Sequence, residues 1–190
     1  TPKLIWSYAH DYGFSFMKVV GEHNKHNFQH CFQILKTAGL EFEATDAQRF
    51  IESFEGADFR IQRVGSFKNY IFYNDAKSTN LKSTTAAIEC FDRKRVIYIG
   101  GGKLRDDAIS QFQQINDYKL EKSYTFGESG AELAKIIDGE SCYKLESVFE
   151  KLKMHIQNNT QQTEPVHVLF SPGFPSFDQY RNYIERGEHF

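Results

Sequence analysis

The sequence predicts an α/β protein: a mostly parallel sheet with helices on both faces. Three observations predict it. From residue 80 onward, helix-like and strand-like stretches alternate, the signature of βαβ units. Three polar loops, 74–80, 100–106 and 171–176, leave the ends of strand-like stretches, where parallel sheets place their ligands. And 190 residues, 40% hydrophobic and 25% charged, suit one large core or two smaller ones.

Taken in order, 4–8 and 14–20 alternate enough to read as strands, with a turn around Asp11-Tyr12-Gly13. A polar run from Gly21 to Asn27 leads into a helix whose Phe28, Cys31, Phe32 and Leu35 share one face, and Gly39 ends it. A second helix follows Thr45, with Ala47, Phe50, Ile51 and Phe54 on one face. Stretches 59–64 and 69–73 read as an antiparallel pair joined through Gly65-Ser66. Helices are expected near 81–92, 106–115, 129–138 and 145–157. Strands are expected at 95–99, 123–126 and 166–170, and a final helix from about Ser176.

Composition excludes several function classes. A formal net charge of −2 and the lack of a Lys/Arg stripe argue against a general nucleic-acid binder. No apolar run approaches the roughly 20 residues of a membrane span, and no signal-peptide pattern is present. Cys31, Cys90 and Cys142 are odd in number and widely spaced, as reduced thiols of a cytosolic protein would be. The start at Thr1-Pro2 and the end after Gly187-Glu188-His189-Phe190 read as those of an excised piece.

The run Asn74-Asp75-Ala76-Lys77-Ser78-Thr79-Asn80 is the most informative. It gathers an acid, a lysine, hydroxyls and amides between a strand and a helix, where free N–H groups and the helix dipole attract charged ligands. A solvated loop capped by Asn or Thr fits the same residues. Gly100-Gly101-Gly102-Lys103-Leu104-Arg105 allows close backbone approach and adds positive charge, but lacks the GxGxxG order of a dinucleotide site. An arginine there suits bidentate capture of a carboxylate, and a tight turn with solvated bases is the alternative. In Ser171-Pro172-Gly173-Phe174-Pro175-Ser176, Ser176 either caps the last helix or meets a ligand carboxylate. No histidine–acid pair accompanies either serine in the pattern of a nucleophilic triad. His23, His26 and His30 lack the partners of a metal site, so none is expected, and Asn24 and Asn27 cap a helix or read a heterocycle.

Four segments in this order resemble the Mur ligase family, and within it the D-glutamate-adding members. They are Gly21-Glu22-His23-Asn24 with Asn27; Phe54-Glu55-Gly56 with Phe59-Arg60; 74–80; and Ser171-Pro172 through Ser176-Phe177-Asp178 to Glu185-Arg186-Gly187. The resemblance implies that 1–57 is the tail of a central ATPase domain and 58–190 a Rossmann-like carboxy-terminal domain that brings the incoming amino acid. It also implies that Asn24 and Asn27 contact adenine, and that Arg60, Asp75 and Lys77 hold the ribose and phosphates of ATP. Thr79, Arg105, Ser176 and Tyr183 would hold D-glutamate, with Lys77 catalytic and close to both ligands. The family reaction, with ATP and Mg²⁺, activates the carboxylate of UDP-N-acetylmuramoyl-L-alanine as an acyl phosphate, which the amine of D-glutamate then attacks. A cytoplasmic monomer acting on small molecules in peptidoglycan synthesis is expected.

The sequence departs from the family pattern in places. No G-x-x-x-x-G-K-[ST] phosphate loop is present, so this stretch alone is expected to be inactive, with the magnesium ligands elsewhere. Phe59 stands where the family usually has His. Lys103-Leu104-Arg105 replaces an acid-then-lysine order, and Phe174-Pro175 makes the last loop bulkier. The alternatives are another Mur-type or folylpolyglutamate-type ligase with a different acceptor, or a non-catalytic Rossmann-like binding module.

Overall fold

The computed structural model describes residues 14–91, 94–105 and 109–190. The expected strand 4–8 and the beginning of the expected helix 106–115 lie outside them. The chain forms two compact units, with the boundary between Gly56 and Ala57, one residue before the expected division.

The first unit carries α1 (Glu22–Thr37) and α2 (Ala44–Ser53). Phe28 and Phe32 on α1 meet Ala47 and Ile51 on α2 in a small core. The ring of Phe28 stands edge-on to Phe54 at 5.3 Å and to Phe50 at 5.9 Å. Cys31, expected on the same face, is exposed. Glu43, not Thr45, starts α2: its carboxylate and that of Asp46 cap each other's backbone N–H groups reciprocally. The expected strand 14–20 is instead a 3-10 turn, Phe14–Phe16, and irregular chain. Its Phe14, Met17 and Val19 pack over the helix pair, so their apolar spacing serves a covering segment and not a pleated face.

The second unit is one six-stranded sheet. Its strands are β1 (Gln62–Phe67), β2 (Tyr70–Asn74), β3 (Arg95–Gly101), β4 (Lys122–Phe126), β5 (Glu140–Ser141) and β6 (Val166–Gly173), in spatial order β1-β2-β6-β3-β4-β5. Only β1 runs antiparallel to its neighbour; every other pairing is parallel. The β1–β2 turn falls at Lys68–Asn69, with Lys68 left-handed at φ 52°. Gly65-Ser66 lies within β1 and is not the turn: Gly65 pairs with Phe72 and Ser66 with Ile71, and the register slips at Val64, between Arg63 and Gly65, as a bulge. The two-residue β5, absent from the sequence reading, closes the far edge.

Parity along the strands assigns the two faces. Ile97, Ile99, Tyr124, Phe126, Val166, Val168 and Phe170 pack against Leu145, Val148, Leu152 and Ile156 of α5 (Leu145–Asn158). On the other face His167 and Tyr73 meet Phe91, which follows α3 (Leu81–Glu89). α4 (Gly130–Ile136) links β4 to β5. Where an α-helix was expected, Ile109–Asp117 is a 3-10 helix. Its buried Ile109, Phe112 and Ile115 recur every third residue, the period of that tighter helix. The last helix, α6, spans Tyr183–His189 and begins later than expected. The Ser176 carbonyl takes the N–H groups of Gln179 and Tyr180 in a local turn, and extended Asn182 caps α6 by accepting from the Glu185 N–H at 2.9 Å.

Candidate functional site

Because β2, β6, β3 and β4 are parallel, the loops that leave them open on one edge of the sheet, and backbone hydrogen bonds stitch these loops together. The Gly173 N–H donates to the Ser78 carbonyl at 2.9 Å, and the Lys103 N–H to the Pro175 carbonyl at 2.8 Å. The Ser129 N–H donates to the Gly102 carbonyl at 2.9 Å, while the Gly102 N–H donates to the Ser129 hydroxyl at 3.1 Å. The three loops singled out in the sequence thus share a rim with 127–129, which the sequence reading did not include.

Asp75 lies beneath that rim and is buried. Its carboxylate accepts from the Ser171 hydroxyl at 2.7 Å, from the Ser78 hydroxyl, and from the Ile61 N–H at 3.2 Å. It therefore ties the 59–61 segment, its own loop and the end of β6 together. Burial pushes the Asp75 carboxyl up from 3.8 to about 6, against the lowering effect of those donors and of the nearby Arg60 charge. The segment it holds is strained: Phe59 at φ 60° and Ile61 at φ 47° are both left-handed, a rare state for a bulky or β-branched residue. The Phe59 carbonyl accepts from the Lys77 N–H at 3.2 Å, a second tie between 59–61 and the 74–80 loop.

The raised Asp75 value sets a pH dependence. Below pH 4 the carboxyl is protonated both folded and unfolded and carries no penalty. Between 4 and 6 the unfolded carboxyl ionises while the folded one resists, so this group's stabilising contribution is lost as pH rises. A change from 3.8 to about 6 corresponds to about 3 kcal/mol. Urea denaturation of the wild type and Asp75→Asn between pH 4 and 7 should show the wild type gaining about 2–3 kcal/mol on the variant as pH falls. Parallel curves would rule out Asp75 as the titrating group.

The other expected site residues are distributed as follows. Lys77 is exposed, with its ammonium 5.6 Å from the ring centroid of Tyr183, and that ring stands edge-on to Phe59 at 6.2 Å. Arg60 is exposed between the two left-handed residues. Thr79 is half-buried, Ser176 is buried, and exposed Arg105 is the last described residue of its loop. Lys103, expected to add charge to the rim, is paired with Glu128 at 2.6 Å. Asn24 and Asn27 belong to the first unit; the Asn24 amide donates to the Val20 carbonyl at 2.7 Å, and Asn27 is exposed. Among the described residues, no group of three His, Cys, Asp or Glu side chains could hold a metal ion, and no helix is long and apolar enough to cross a membrane.

Sequence reasoning gave no role to the underside of α6. There Arg186 is fully buried, its Nη1 donating to the Phe174 carbonyl at 2.9 Å and its Nη2 to the Ala76 carbonyl at 3.0 Å. The Gly187 carbonyl accepts from the Asn74 amide at 2.7 Å, and a Cβ at Gly187 would lie 2.3 Å from the Phe59 ring. The available signals were the place of Glu185-Arg186-Gly187 in the fourth resemblance segment and a glycine inside a short helix, which helix propensity does not favour.

A UDP-N-acetylmuramoylalanine–D-glutamate ligase of Rickettsia prowazekii is 32% identical to this chain over 174 residues, covering 90% of the chain and 38% of the relative. The chain is homologous to part of a Mur ligase. It spans little more than a third of the length of the relatives it matches. No family model matches it. Among solved structures, a Mur ligase, MurF from Acinetobacter baumannii, superposes with a TM-score of 0.63 at 17% identity, over 92% of this chain and 39% of that one. A folylpolyglutamate synthase from Mycobacterium tuberculosis, solved with ADP and AMPPCP, gives 0.62 at 12% identity over 83% and 39%. At those identities the structural likeness is one of fold, and the fold is that of Mur ligase domains.

Proposed function

We propose that this chain is the amino-acid-bringing, carboxy-terminal part of a cytoplasmic, monomeric ATP-dependent ligase that adds D-glutamate to UDP-N-acetylmuramoyl-L-alanine in peptidoglycan synthesis. Residues 1–56 then form the tail of its ATPase domain. The observation that carries this reading is the 32% identity to a D-glutamate ligase across nine-tenths of the chain. The geometry supports it: the 74–80, 100–105 and 171–176 loops share one rim, and Lys77 is an exposed cation on it.

In this reading ATP phosphorylates the carboxylate of the UDP-linked L-alanine and leaves as ADP. The D-glutamate amine attacks the acyl carbon, the amide bond forms and inorganic phosphate departs. Lys77 and Arg60 supply fixed positive charge for a phosphoryl group in transfer, where electrostatic stabilisation is the main catalytic demand. Thr79, Ser176, Tyr183 and Arg105 orient the two carboxylates of D-glutamate, and Asn24 and Asn27 meet the adenine. Asp75, already committed to three internal donors, acts by holding Arg60 and Lys77 in register. Mg²⁺ would neutralise phosphate charge, and its ligands are assigned to protein outside this stretch.

The test is phosphate release from ATP by the full-length protein, given UDP-N-acetylmuramoyl-L-alanine and a panel of amino acids. Release is expected with D-glutamate and to be at least about 100-fold weaker with L-glutamate or other amino acids, since misoriented carboxylates leave the rim's polar groups unpaired. Release independent of D-glutamate would end this reading.

A further inference from the structure

Arg186 is an unusual residue to find at the bottom of a domain. It is wholly buried, and among the described residues no carboxylate lies within ion-pair distance of it. The Asp178 charge favours its charged form only from beyond that distance, and its Nε has no hydrogen-bond partner. Burying a guanidinium without a paired acid is costly, and an apolar side chain of similar length would pack at lower cost. Stability alone therefore does not account for an arginine here. What an arginine adds is a rigid planar fork whose donors hold two acceptors at a fixed separation, which neither a lysine nor an apolar chain can do.

Those two acceptors lie on different loops. The Ala76 carbonyl immediately precedes Lys77, and the Phe174 carbonyl lies two residues before Ser176. β2 and β6 pair in register only as far as Asn74 and Phe170. Beyond that point the Asp75 N–H on the Phe170 carbonyl, the Ser171 hydroxyl on Asp75 and the Gly173 N–H on the Ser78 carbonyl tie the two loops at their bases. Arg186 adds the tie between Ala76 and Phe174, next to Lys77 and near Ser176. The third loop closes on the same group: a Cβ at Gly102 would come within 3.0 Å of Nη1 and 2.4 Å of the Pro175 carbonyl. One turn earlier on α6, Tyr183 places its ring beside the Lys77 ammonium, so a single helical face contacts both the backbone and the side chain of that loop.

We infer that Arg186 is a positioning residue that sets the Lys77 loop against the Ser176 loop, and through that spacing governs recognition of the incoming amino acid. The inference rests on the ligase reading for its kinetic consequence but not for its structural one.

Two variants of the full-length protein test it, Arg186→Lys, which keeps the charge without the fork, and Arg186→Met, which keeps the length without either. In both, the KM for D-glutamate should rise about tenfold or more and kcat should fall, because small misplacements in a positioned site are expensive. The KM for the UDP-linked substrate should stay within about twofold, since none of the rim residues named above is assigned to its binding. Amide hydrogen exchange gives a readout independent of activity. The Gly173 and Lys103 N–H groups, which tie the loops, should exchange about tenfold faster or more, while those of Ile97 and Val168 in the sheet keep wild-type protection. An unchanged KM for D-glutamate, with activity tracking only the folded fraction, would overturn the inference, as would variants that do not fold at all. If the wild type shows no D-glutamate dependence yet the loop amides loosen as described, the ligase reading fails and the coupling by Arg186 stands.

Discussion

Replacing Lys77 with alanine in the full-length protein is expected to lower D-glutamate-dependent turnover about 1,000-fold while leaving the fold intact. The magnitude follows from the proposed role, since deleting one preorganised charge or donor at a transferring group costs two to three orders of magnitude or more, about 4 kcal/mol of barrier at the upper end. The intact fold follows from the structure. Lys77 is exposed, and its ammonium lies beside the Tyr183 ring, a contact that at an exposed position contributes about 0.5–1 kcal/mol. The loop itself is held by groups the substitution leaves alone: the Lys77 N–H on the Phe59 carbonyl, the Asp75 carboxylate and Arg186. Lys77→Arg should recover only part of the rate, because a planar fork cannot replace a compact ammonium at a point contact. Steady-state rates read beside thermal melts decide the matter. An alanine variant within threefold of wild type, with an unchanged melt, would remove Lys77 from the chemistry.

The largest expected effect on stability is at Gly101, the last residue of β3. Gly101→Ala should destabilise the second unit by about 4 kcal/mol or more, a large fraction of the 5–15 kcal/mol typical of a whole domain. Two costs combine there. The backbone sits at φ +133°, a region essentially confined to glycine, and an added Cβ would lie 2.0 Å from the Phe126 carbonyl oxygen on β4. The obstacle is backbone inside a paired strand, so relief requires moving β4 away and with it the 127–129 loop that holds Gly102. Gly65→Ala is the control, since nothing lies within 4 Å of a Cβ there, and it should change stability by no more than about 0.5 kcal/mol. Equal denaturant midpoints for the two variants would contradict the packing described at the β3–β4 edge.

How much of this was legible in the sequence depends on the range of the interaction involved. The parallel sheet could be read from the strands at 95–99, 123–126 and 166–170 alternating with helices, and strand ends in such a sheet open on a shared edge. The meeting of the 74–80, 100–106 and 171–176 loops, seen through residue 105 of the second, therefore followed from topology. Elements whose form depends on a distant partner were not legible. The apolar residues of 14–20 look like a strand face until α1 and α2 are present to be covered. Ile109, Phe112 and Ile115 fit an α-helix or a 3-10 helix equally well on paper. The turn at Lys68–Asn69 carries an asparagine but neither glycine nor proline, whereas Gly65-Ser66, which reads more strongly as a turn, continues β1 just beyond a bulge at Val64. At the site, motif resemblance could name Asp75 and Lys77 but not distinguish their environments. One is buried under three donors and the other is exposed, and that difference is made by Ser171 and Ile61, which are remote in sequence. Arg186, present in the fourth resemblance segment, had no role assigned for the same reason: its partners are 12 and 110 residues away.

The claim on which the functional account depends is that the amino-acid substrate sits on the rim of the second unit. A crystal structure of the full-length protein with D-glutamate, or with the ligated product, tests it most directly. The account predicts the carboxylates of the glutamyl group within hydrogen-bond distance of Thr79 and the 171–176 loop, with the Lys77 ammonium beside the reacting end. A glutamyl group bound away from the 74–80 and 171–176 loops would contradict it.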